Sequence, residues 1–391
     1  MNLKTLIIGL KNKKRLLPQI LTLLFIALAI SYFTFNAQVN MGNRGIAFGF
    51  GFLSQEASFD IGFSLIDYDG SHSYARAFLV GLLNTLLVSV IGIFFATLIG
   101  VTVGIGRLSS NYLVAKFSEV YVEVFRNIPL LLQLFFWYFA ALRALPLPEQ
   151  AINFYDISYL TVKGWYVPKF LWTNFSTFIY SIIAAIIAII FVSRYAKKQR
   201  EEFGKHIPSF YIGITLLLVL PTISFLIGGV ALEFEIPVLK QMSTRIFNFR
   251  GGVSIIPELM ALAMALSMYT ATFIAENVRA GILGIGKGQK EAAASIGLTK
   301  TQILKLVVLP QALRIIIPPT TNQYLNLTKN SSLAAAIAYP DIVLVFAGTA
   351  LMQTGRAIEI VSITMGTYLF ISLSISSLMN WYNQSVAIKE K

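Results

Sequence analysis

Long apolar runs separated by short polar segments dominate the chain. Eight of these runs reach about the 20 residues that an α-helix needs to cross the hydrocarbon core of a bilayer. The runs lie near residues 17–35, 78–105, 124–143, 174–193, 208–231, 257–279, 312–345 and 357–380. We therefore predict an all-α integral membrane protein with about eight transmembrane helices.

The seventh predicted span is the least regular. It contains the pair Pro318-Pro319, and several polar side chains follow before the apolar run resumes at Leu333. These polar residues are Asn322, Asn326, Lys329 and Asn330. Such a helix is expected to be interrupted, and interruption within a membrane is tolerated only where protein or water covers the freed backbone.

Composition supports the membrane assignment. Of 391 residues, 56% are hydrophobic and only 13% are charged, whereas a soluble domain carries about 25% charged residues. The net charge of +13 does not indicate nucleic-acid binding, because no basic segment is interleaved with aromatic residues. The chain has no cysteine, which excludes disulfides and thiolate metal sites.

The distribution of basic residues predicts the orientation. With the N-terminus in the cytoplasm, 21 of the 31 Lys and Arg residues fall in cytoplasmic segments and nine in outer segments. Cytoplasmic loops collect Lys and Arg, so both termini and the loop 280–311 are predicted to be cytoplasmic. The first apolar run is longer than the core of a signal peptide, and we predict that it remains as an uncleaved span.

The predicted spans divide the chain into five parts. A two-span region flanked by aromatic loops, residues 144–256, looks separable from the rest and is predicted to be an insertion. The parts are an N-terminal span and outer loop (1–77), a first core part (78–143), the insertion (144–256), a second core part (257–380) and a cytoplasmic tail (381–391).

The polar segment after the sixth span begins with a predicted short helix. Gly286 and Gly288 break the chain, and residues 289–296 then contain good helix formers, including three consecutive alanines. Gly297 suits a C-terminal cap in the left-handed conformation. The segment is therefore predicted to form a helix with a defined stop.

A second predicted helix follows. Thr299 with Gln302 three residues later fits a capping box, and Pro310 is expected to end this helix because proline lacks a backbone donor. Helix, stop and capped helix make a compact knob, which favours docking to a protein. The alternative is an amphipathic helix lying on lipid headgroups, which Lys287 and Lys290 would suit.

The spacing in this knob resembles the cytoplasmic loop of ABC importer permeases. The motif is Glu-Ala-Ala, three residues, Gly, nine residues, then an apolar residue, any residue, Leu and Pro. The residues that carry it are Glu291, Ala292, Ala293, Gly297, Leu309 and Pro310. Val307 stands where isoleucine is usual in the family.

Other stretches resemble the polar amino-acid uptake branch of that family. They are Gly81–Leu86, Glu123–Leu130, Gln311–Arg314 with Pro318-Pro319, and Lys329–Leu333. The resemblance covers about 78–142 and 257–380. The extra two-span region and the extended N-terminal part look like the general L-amino-acid transporter permeases.

The resemblance implies a type I ABC importer permease core with a two-span insertion, in the bacterial inner membrane. Its expected function is import of polar L-amino acids. The chain is then not an enzyme and holds no cofactor, because separate ATPase subunits bind ATP and Mg. The other implied partners are a second, homologous permease, a periplasmic substrate-binding protein and lipid. The residues expected to contact the ATPase are Gln289, Glu291, Ala292, Ala293, Gly297, Leu309 and Pro310.

Ionisable residues within spans usually face a cavity or a partner. Glu276 has Arg279 one turn away, which fits an intrahelical pair or a place on the translocation path. Lys329 could contact a substrate carboxylate, pair with Glu276, or bind a partner subunit. The candidate path residues are Glu276, Asn326, Lys329, Asn330, Ser331 and Ser332.

Other chemistry is weakly supported. Residues 281–287 fit the first seven positions of a phosphate-binding loop, but Gly288 replaces Ser or Thr and a predicted membrane helix precedes it. His72 and His206 lie on opposite predicted sides of the membrane, so no metal site is predicted. The alternative function is an ion-gradient-driven transporter, which would show an inverted repeat and midplane carboxylates. Neither feature is clear.

Overall fold

The computed structural model describes residues 13–43, 49–172, 175–204, 208–227, 232–243 and 246–386. The described helices α1 to α12 are Lys13–Asn43, Tyr74–Gly106, Tyr112–Asn127, Leu130–Phe135, Phe175–Phe203, Ser209–Ile227, Pro257–Leu283, Lys287–Ser295, Lys300–Gln302, Leu309–Asn330, Leu351–Thr354 and Ala357–Val386. Segments of 3₁₀ helix are Phe50–Ser54, Pro148–Gln150 and Ser331–Ile337, and segments of π-helix are Phe136–Leu142, Ile303–Val308 and Val343–Ala350.

The described residues are mostly helical, which confirms the predicted membrane fold. Six helical stretches are long and apolar enough to cross a membrane, and a bent pair makes a seventh if it counts as one span. The six are Leu17–Ala37, Tyr74–Gly106, Ser176–Arg200, Pro257–Leu283, Lys300–Ile337 and Ala357–Ser385. The predicted count of eight is therefore corrected to six or seven among the described residues.

The third predicted span, 124–143, is not one straight helix. The chain bends by 102° between α3 and the helix that begins at Leu130, because Ile128 is extended and Pro129 follows it. The Gln133 side-chain amide donates to the carbonyl oxygens of Phe125 and Ile128, at 2.7 and 2.9 Å. This buried amide thus satisfies backbone acceptors that the break leaves free.

The fifth and seventh predicted spans also differ from the structure. For 208–231 the described helix α6 is shorter, and its apolar part is Tyr211–Leu226; residues 228–231 lie outside the described residues. For 312–345 the helix ends at Ile337, and Ala338 adopts a left-handed conformation with φ of 60°. The apolar residues after Pro340 form a separate short helix, so the predicted span is interrupted, but after Ile337 and not at Pro318-Pro319 or the polar residues that follow them, through which the helix is continuous.

The described part of residues 152–255 contains eight short strands, which the all-α prediction did not include. Strands β1 to β8 are Ile152–Phe154, Ser158–Thr161, Gly164–Val167, Lys169–Trp172, Leu232–Glu235, Val238–Ser243, Ile246–Arg250 and Val253–Ile255. They form an antiparallel sheet in the order β1-β2-β3-β8 and two separate ladders, β4-β5 and β6-β7. In the β4-β5 ladder Phe170 lies opposite Phe234, with ring centroids 5.1 Å apart.

The chain divides into two compact units. The first unit comprises the described residues of Met1–Leu134 and Leu262–Lys391, and the second unit is Phe135–Ala261. In the second unit, α5 and α6 pack against each other. The strand that precedes α5, β4, pairs with the strand that follows α6, β5.

In the first unit, an apolar core lies where α2 begins. It joins α2, the first 3₁₀ turn, the helix Val343–Ala350 and the start of α12. Its fully buried members include Phe52, Phe346 and Ile360. Asn84 of α2 is also buried, and its side-chain amide donates to the carbonyl oxygens of Phe63 and Pro340, both at 2.9 Å.

Small residues bring α2 and α7 into close contact. Gly100 and Gly104 are one helical turn apart, and a Cβ atom on Gly104 would lie 2.7 Å from the carbonyl oxygen of Ala275. A Cβ atom on Gly100 would lie equally close to the Ile274 side chain. Such glycine pairs allow helix backbones to approach within a membrane, where packing drives association.

Candidate functional site

A Schellman motif ends the short helix α8. Gly297 has φ of 81°, and its N–H donates to Ala294 O at 2.9 Å, while Leu298 N donates to Ala293 O at 3.2 Å. These two bonds satisfy carbonyls that the helix end would leave free, and the left-handed residue suits glycine. The predicted stop at Gly297 is confirmed, and the helix runs from Lys287 to Ser295 rather than from 289 to 296.

A capping box begins the next helix. The Thr299 hydroxyl accepts from Gln302 N, and the Gln302 side chain accepts from Thr299 N at 2.9 Å. The predicted box is therefore confirmed. The prediction that Pro310 ends this helix is wrong. The chain stays helical there and only changes from π-helix to α-helix at Leu309. Pro310 thus lies in the first turn of α10, where the missing N–H needs no intrahelical partner.

One face of α8 is anchored on the rest of the first unit. Ala293 is buried, and α8 packs against the π-helical segment Ile303–Val308, whose Val308 forms a small apolar cluster with Ile285 and Ala312. Among the residues predicted to contact an ATPase, Ala293 therefore faces inward. Its methyl group fits the anchored side, and its small volume allows the helix to approach its support closely.

Most other positions of α8 are exposed. We define the α8 surface as Gln289, Glu291, Ala292 and Ile296, all of which are exposed. Ile296 is 78% exposed, which is unusual for a large aliphatic side chain at the end of a polar helix. Glu291 carries the negative charge, and its carbonyl oxygen accepts from Ser295 Oγ at 3.0 Å. The surface combines a charge, small residues and one apolar side chain on a rigid support.

Leu309 and Pro310, which are also predicted to contact the ATPase, follow α8 by 14 and 15 residues and differ in exposure. Leu309 is 44% exposed, and Pro310 is half-buried. Leu304 and Leu306 are also exposed, at 50% and 64%. The π-helical segment Ile303–Val308 and the start of α10 therefore also expose apolar side chains.

Glu276 is part of an ion triad. Its carboxylate contacts the guanidinium group of Arg279, at 2.6 Å, and that of Arg107 at the end of α2. The sequence predicted the pair with Arg279, which the structure contains, and missed Arg107, which lies far away in the chain. Lys329 does not pair with Glu276, which was one of its predicted alternatives; the place of Glu276 on a translocation path stays a prediction.

The polar residues of α10 divide between two faces. Asn322, Asn326 and Lys329 are exposed, and their spacing of four and three residues places them on one face of the helix. Leu327 and Thr328 are buried on the other side. We call Asn322, Asn326 and Lys329 the α10 polar face. Polar groups at this depth require cover by protein or water.

The other candidate path residues have partners in the helix end. Ser331 is fully buried and donates to Thr328 O at 2.7 Å, and Ser332 donates to Lys329 O at 2.8 Å. Asn330 is half-buried. These residues begin the 3₁₀ segment, so the structure separates Asn326 and Lys329, which face outward, from Ser331, which faces the core.

The described residues contain no group of three or more His, Cys, Asp or Glu side chains placed to hold a metal ion. Sequence reasoning also missed a charged cavity in the second unit, formed by Arg143, Lys163 and Glu258. In the sequence, Arg143 and Glu258 are single charges at the two borders of the predicted insertion, and Lys163 lies inside it. That signal does not reveal that the borders meet.

The chain is similar to known permeases over almost its whole length. The family described as "Binding-protein-dependent transport system inner membrane component" matches residues 202–388. The chain is 49% identical, over 95% of its length and 94% of the relative's, to the putative amino-acid ABC transporter permease protein YhdX of Escherichia coli strain K12.

Two further relatives cover a similar share. The general L-amino acid transport system permease protein AapQ of Rhizobium johnstonii is 48% identical over 95% of this chain and 92% of its own. The glutamate/glutamine/aspartate/asparagine transport system permease protein BztB of Rhodobacter capsulatus is 39% identical over 95% of this chain and 93% of its own.

Proposed function

Because the chain belongs to the ABC transporter permeases, we propose that it is the permease subunit of an ATP-driven importer of polar L-amino acids. The names of three relatives that match over nearly their full length support this substrate class. A permease is a transport component rather than an enzyme. In this proposal it resides in the bacterial inner membrane with both termini in the cytoplasm.

The exposed α8 surface carries the proposal that ATP drives transport. The Schellman motif, the capping box and the buried Ala293 fix α8 to the first unit, while Glu291 and Ile296 remain available to another protein. A rigid knob transmits a displacement that a loose loop would absorb. Partner ATPase subunits would bind ATP and Mg, and their closure would move α8 together with α10.

The α10 polar face supports a path formed with a second permease subunit. Asn322, Asn326 and Lys329 are exposed in this chain although they lie within a membrane span. A homologous partner chain would cover this face and leave a polar passage between the two chains. A periplasmic binding protein would deliver the amino acid to the outer end of that passage.

Reconstituted vesicles test the proposal. We expect uptake of a labelled polar L-amino acid to require ATP and the binding protein, and to persist when ionophores collapse ion gradients. Glu291→Lys reverses the charge of the α8 surface and should abolish uptake, while Glu149→Lys, an exposed acid in the second unit, should not. Uptake that needs no ATP and stops with the ion gradient would instead indicate the ion-driven alternative.

Lys329 requires its own test, because it could either line the translocation path or bind the second permease subunit. If it lines the path, Lys329→Gln should raise the KM for uptake or slow transport while the two permease chains still co-purify. If it only holds the subunits together, the same variant should reduce co-purification, and Lys329→Arg should restore it.

A further inference from the structure

A charged cavity of about 390 Å³ lies within the second unit. It is bounded by the end of the π-helical segment Phe136–Leu142, by the turn between β2 and β3, and by the first turn of α7. Its polar lining is Tyr138, Arg143, Lys163 and Glu258, and apolar side chains such as Ile256 complete the wall. The volume falls in the range of sites for small molecules, and a few convergent polar groups on an apolar wall are typical of such sites.

Tyr138 contacts both Arg143 and Glu258 in the cavity, and these two charged side chains do not form an ion pair with each other. Its hydroxyl donates to Glu258 Oε1 at 2.8 Å, and the guanidinium carbon of Arg143 lies 5.5 Å from its ring centroid. Among the described residues, no ion pair joins Arg143 or Glu258 to any charged group. Opposite charges that line one cavity unpaired leave room for a ligand that carries both charges.

Lys163 adds a second cation. It lies in the tight turn between β2 and β3, and its amino group donates to Phe247 O at 3.1 Å. That bond uses one of the three donors of an ammonium group, so the others remain for a ligand. The cavity therefore offers two cations and one anion, which complements a ligand with two carboxylates and one ammonium group.

We propose that this cavity is an accessory binding site for a free acidic α-amino acid. The α-carboxylate and the ammonium group share one carbon, so adjacent Arg143 and Glu258, both in contact with Tyr138, bind them. Lys163 binds the side-chain carboxylate. No residue of this site belongs to the α10 polar face or to the proposed translocation path.

A purely structural role explains only part of this arrangement. Glu258 stands in the first turn of α7, where a carboxylate is stabilised by the helix dipole, and Arg143 stacks on Tyr138. Neither role accounts for a third charged side chain, Lys163, on the same cavity. The opposing charges also lack the direct contact that a structural ion pair would make.

Calorimetry on the purified transporter complex in lipid nanodiscs, without binding protein or nucleotide, tests the proposal. We expect saturable binding of L-glutamate. Three analogues each remove one charged group: L-glutamine lacks the side-chain carboxylate, glutarate lacks the ammonium group and 4-aminobutanoate lacks the α-carboxylate. Each should bind roughly 10- to 100-fold more weakly, because hydrogen bonds to charged groups are lost. Equal affinity for glutamate and glutarate would overturn the proposal even if every variant failed to assemble.

Single variants then assign the binding to the cavity. Arg143→Gln and Glu258→Gln should weaken glutamate binding roughly 10- to 100-fold. Lys163→Gln should remove the preference for glutamate over glutamine. Arg250→Gln, an exposed cation of the same unit outside the cavity, should bind as the wild type does. Glutamate binding that is unchanged in all three cavity variants would refute the site.

The same variants separate this site from the proposed function. ATP-driven uptake in vesicles should persist in Arg143→Gln and Lys163→Gln, because neither lies on the α8 surface or the α10 polar face. Loss of glutamate binding with uptake retained supports an accessory site. Absence of ATP-driven uptake in the wild type, with glutamate binding to the cavity intact, would refute the proposed function and leave the site standing.

Discussion

Replacing Gly297 by valine perturbs the stop of α8 without touching any neighbouring side chain. A Cβ atom built on Gly297 meets nothing within 4 Å, so a Cβ atom there causes no clash. The backbone is the source of strain, because φ is 81° and L-residues with a Cβ atom lose about 1–2 kcal/mol in this conformation. Valine is β-branched and costs more than alanine there.

That cost is large enough to change how often α8 is correctly capped. A loss of about 1–2 kcal/mol lowers the ratio of capped to uncapped knob by a factor of about 5–30. The bond from Leu298 N to Ala293 O is then lost, and the C-terminal end of α8 is no longer fixed. Uptake follows the fraction of capped knob, so we expect ATP-driven uptake to fall measurably, by at most this factor, while membrane insertion stays normal.

A series at one position separates backbone strain from side-chain size. Asparagine is larger than alanine but adopts the left-handed conformation more readily, so uptake should decrease in the order glycine, asparagine, alanine, valine. Uptake is measured in vesicles loaded with ATP and supplied with binding protein, normalised to the amount of assembled complex. A Gly297→Val variant that transports as fast as Gly297→Asn would refute the role of the cap.

Three other perturbations test contacts within the first unit. Gly104→Leu should lower the stability of the detergent-solubilised complex by about 1–3 kcal/mol, because even its Cβ atom would lie 2.7 Å from Ala275 O. The control is Gly366→Leu, which should melt like the wild type because a Cβ atom there has nothing within 4 Å. Gln133→Leu leaves the carbonyl oxygens of Phe125 and Ile128 without this donor and should lower the stability in thermal melting by about 1–3 kcal/mol; an unchanged midpoint would argue against this role. Glu276→Gln combined with Arg107→Gln should destabilise less than the sum of the single changes, and strict additivity would contradict the ion pair.

Most of the α8 region could be predicted because its determinants are local. Gly297 and the Thr299–Gln302 capping box are signals that act within one helical turn, and both were predicted correctly. The continuation through Pro310 was not, because it depends on a change from π to α register that tertiary packing imposes. Sequence spacing likewise placed Asn326 and Lys329 on one helix, but only the fold showed that they face away from the buried Ser331.

The apolar run lengths by themselves determined a helical membrane protein, since a span is defined by its own hydrophobic length. Tertiary structure alone decided which distant parts of the chain come together: Arg107 pairs with Glu276, β4 pairs with β5, and one cavity is lined by Arg143, Lys163 and Glu258. The bend in the third predicted span also depends on tertiary structure. Within a membrane the break needs hydrogen-bond partners for its backbone, and the Gln133 side chain supplies them. Local patterns fix elements within a few residues, whereas contacts across long stretches of chain depend on how the elements pack.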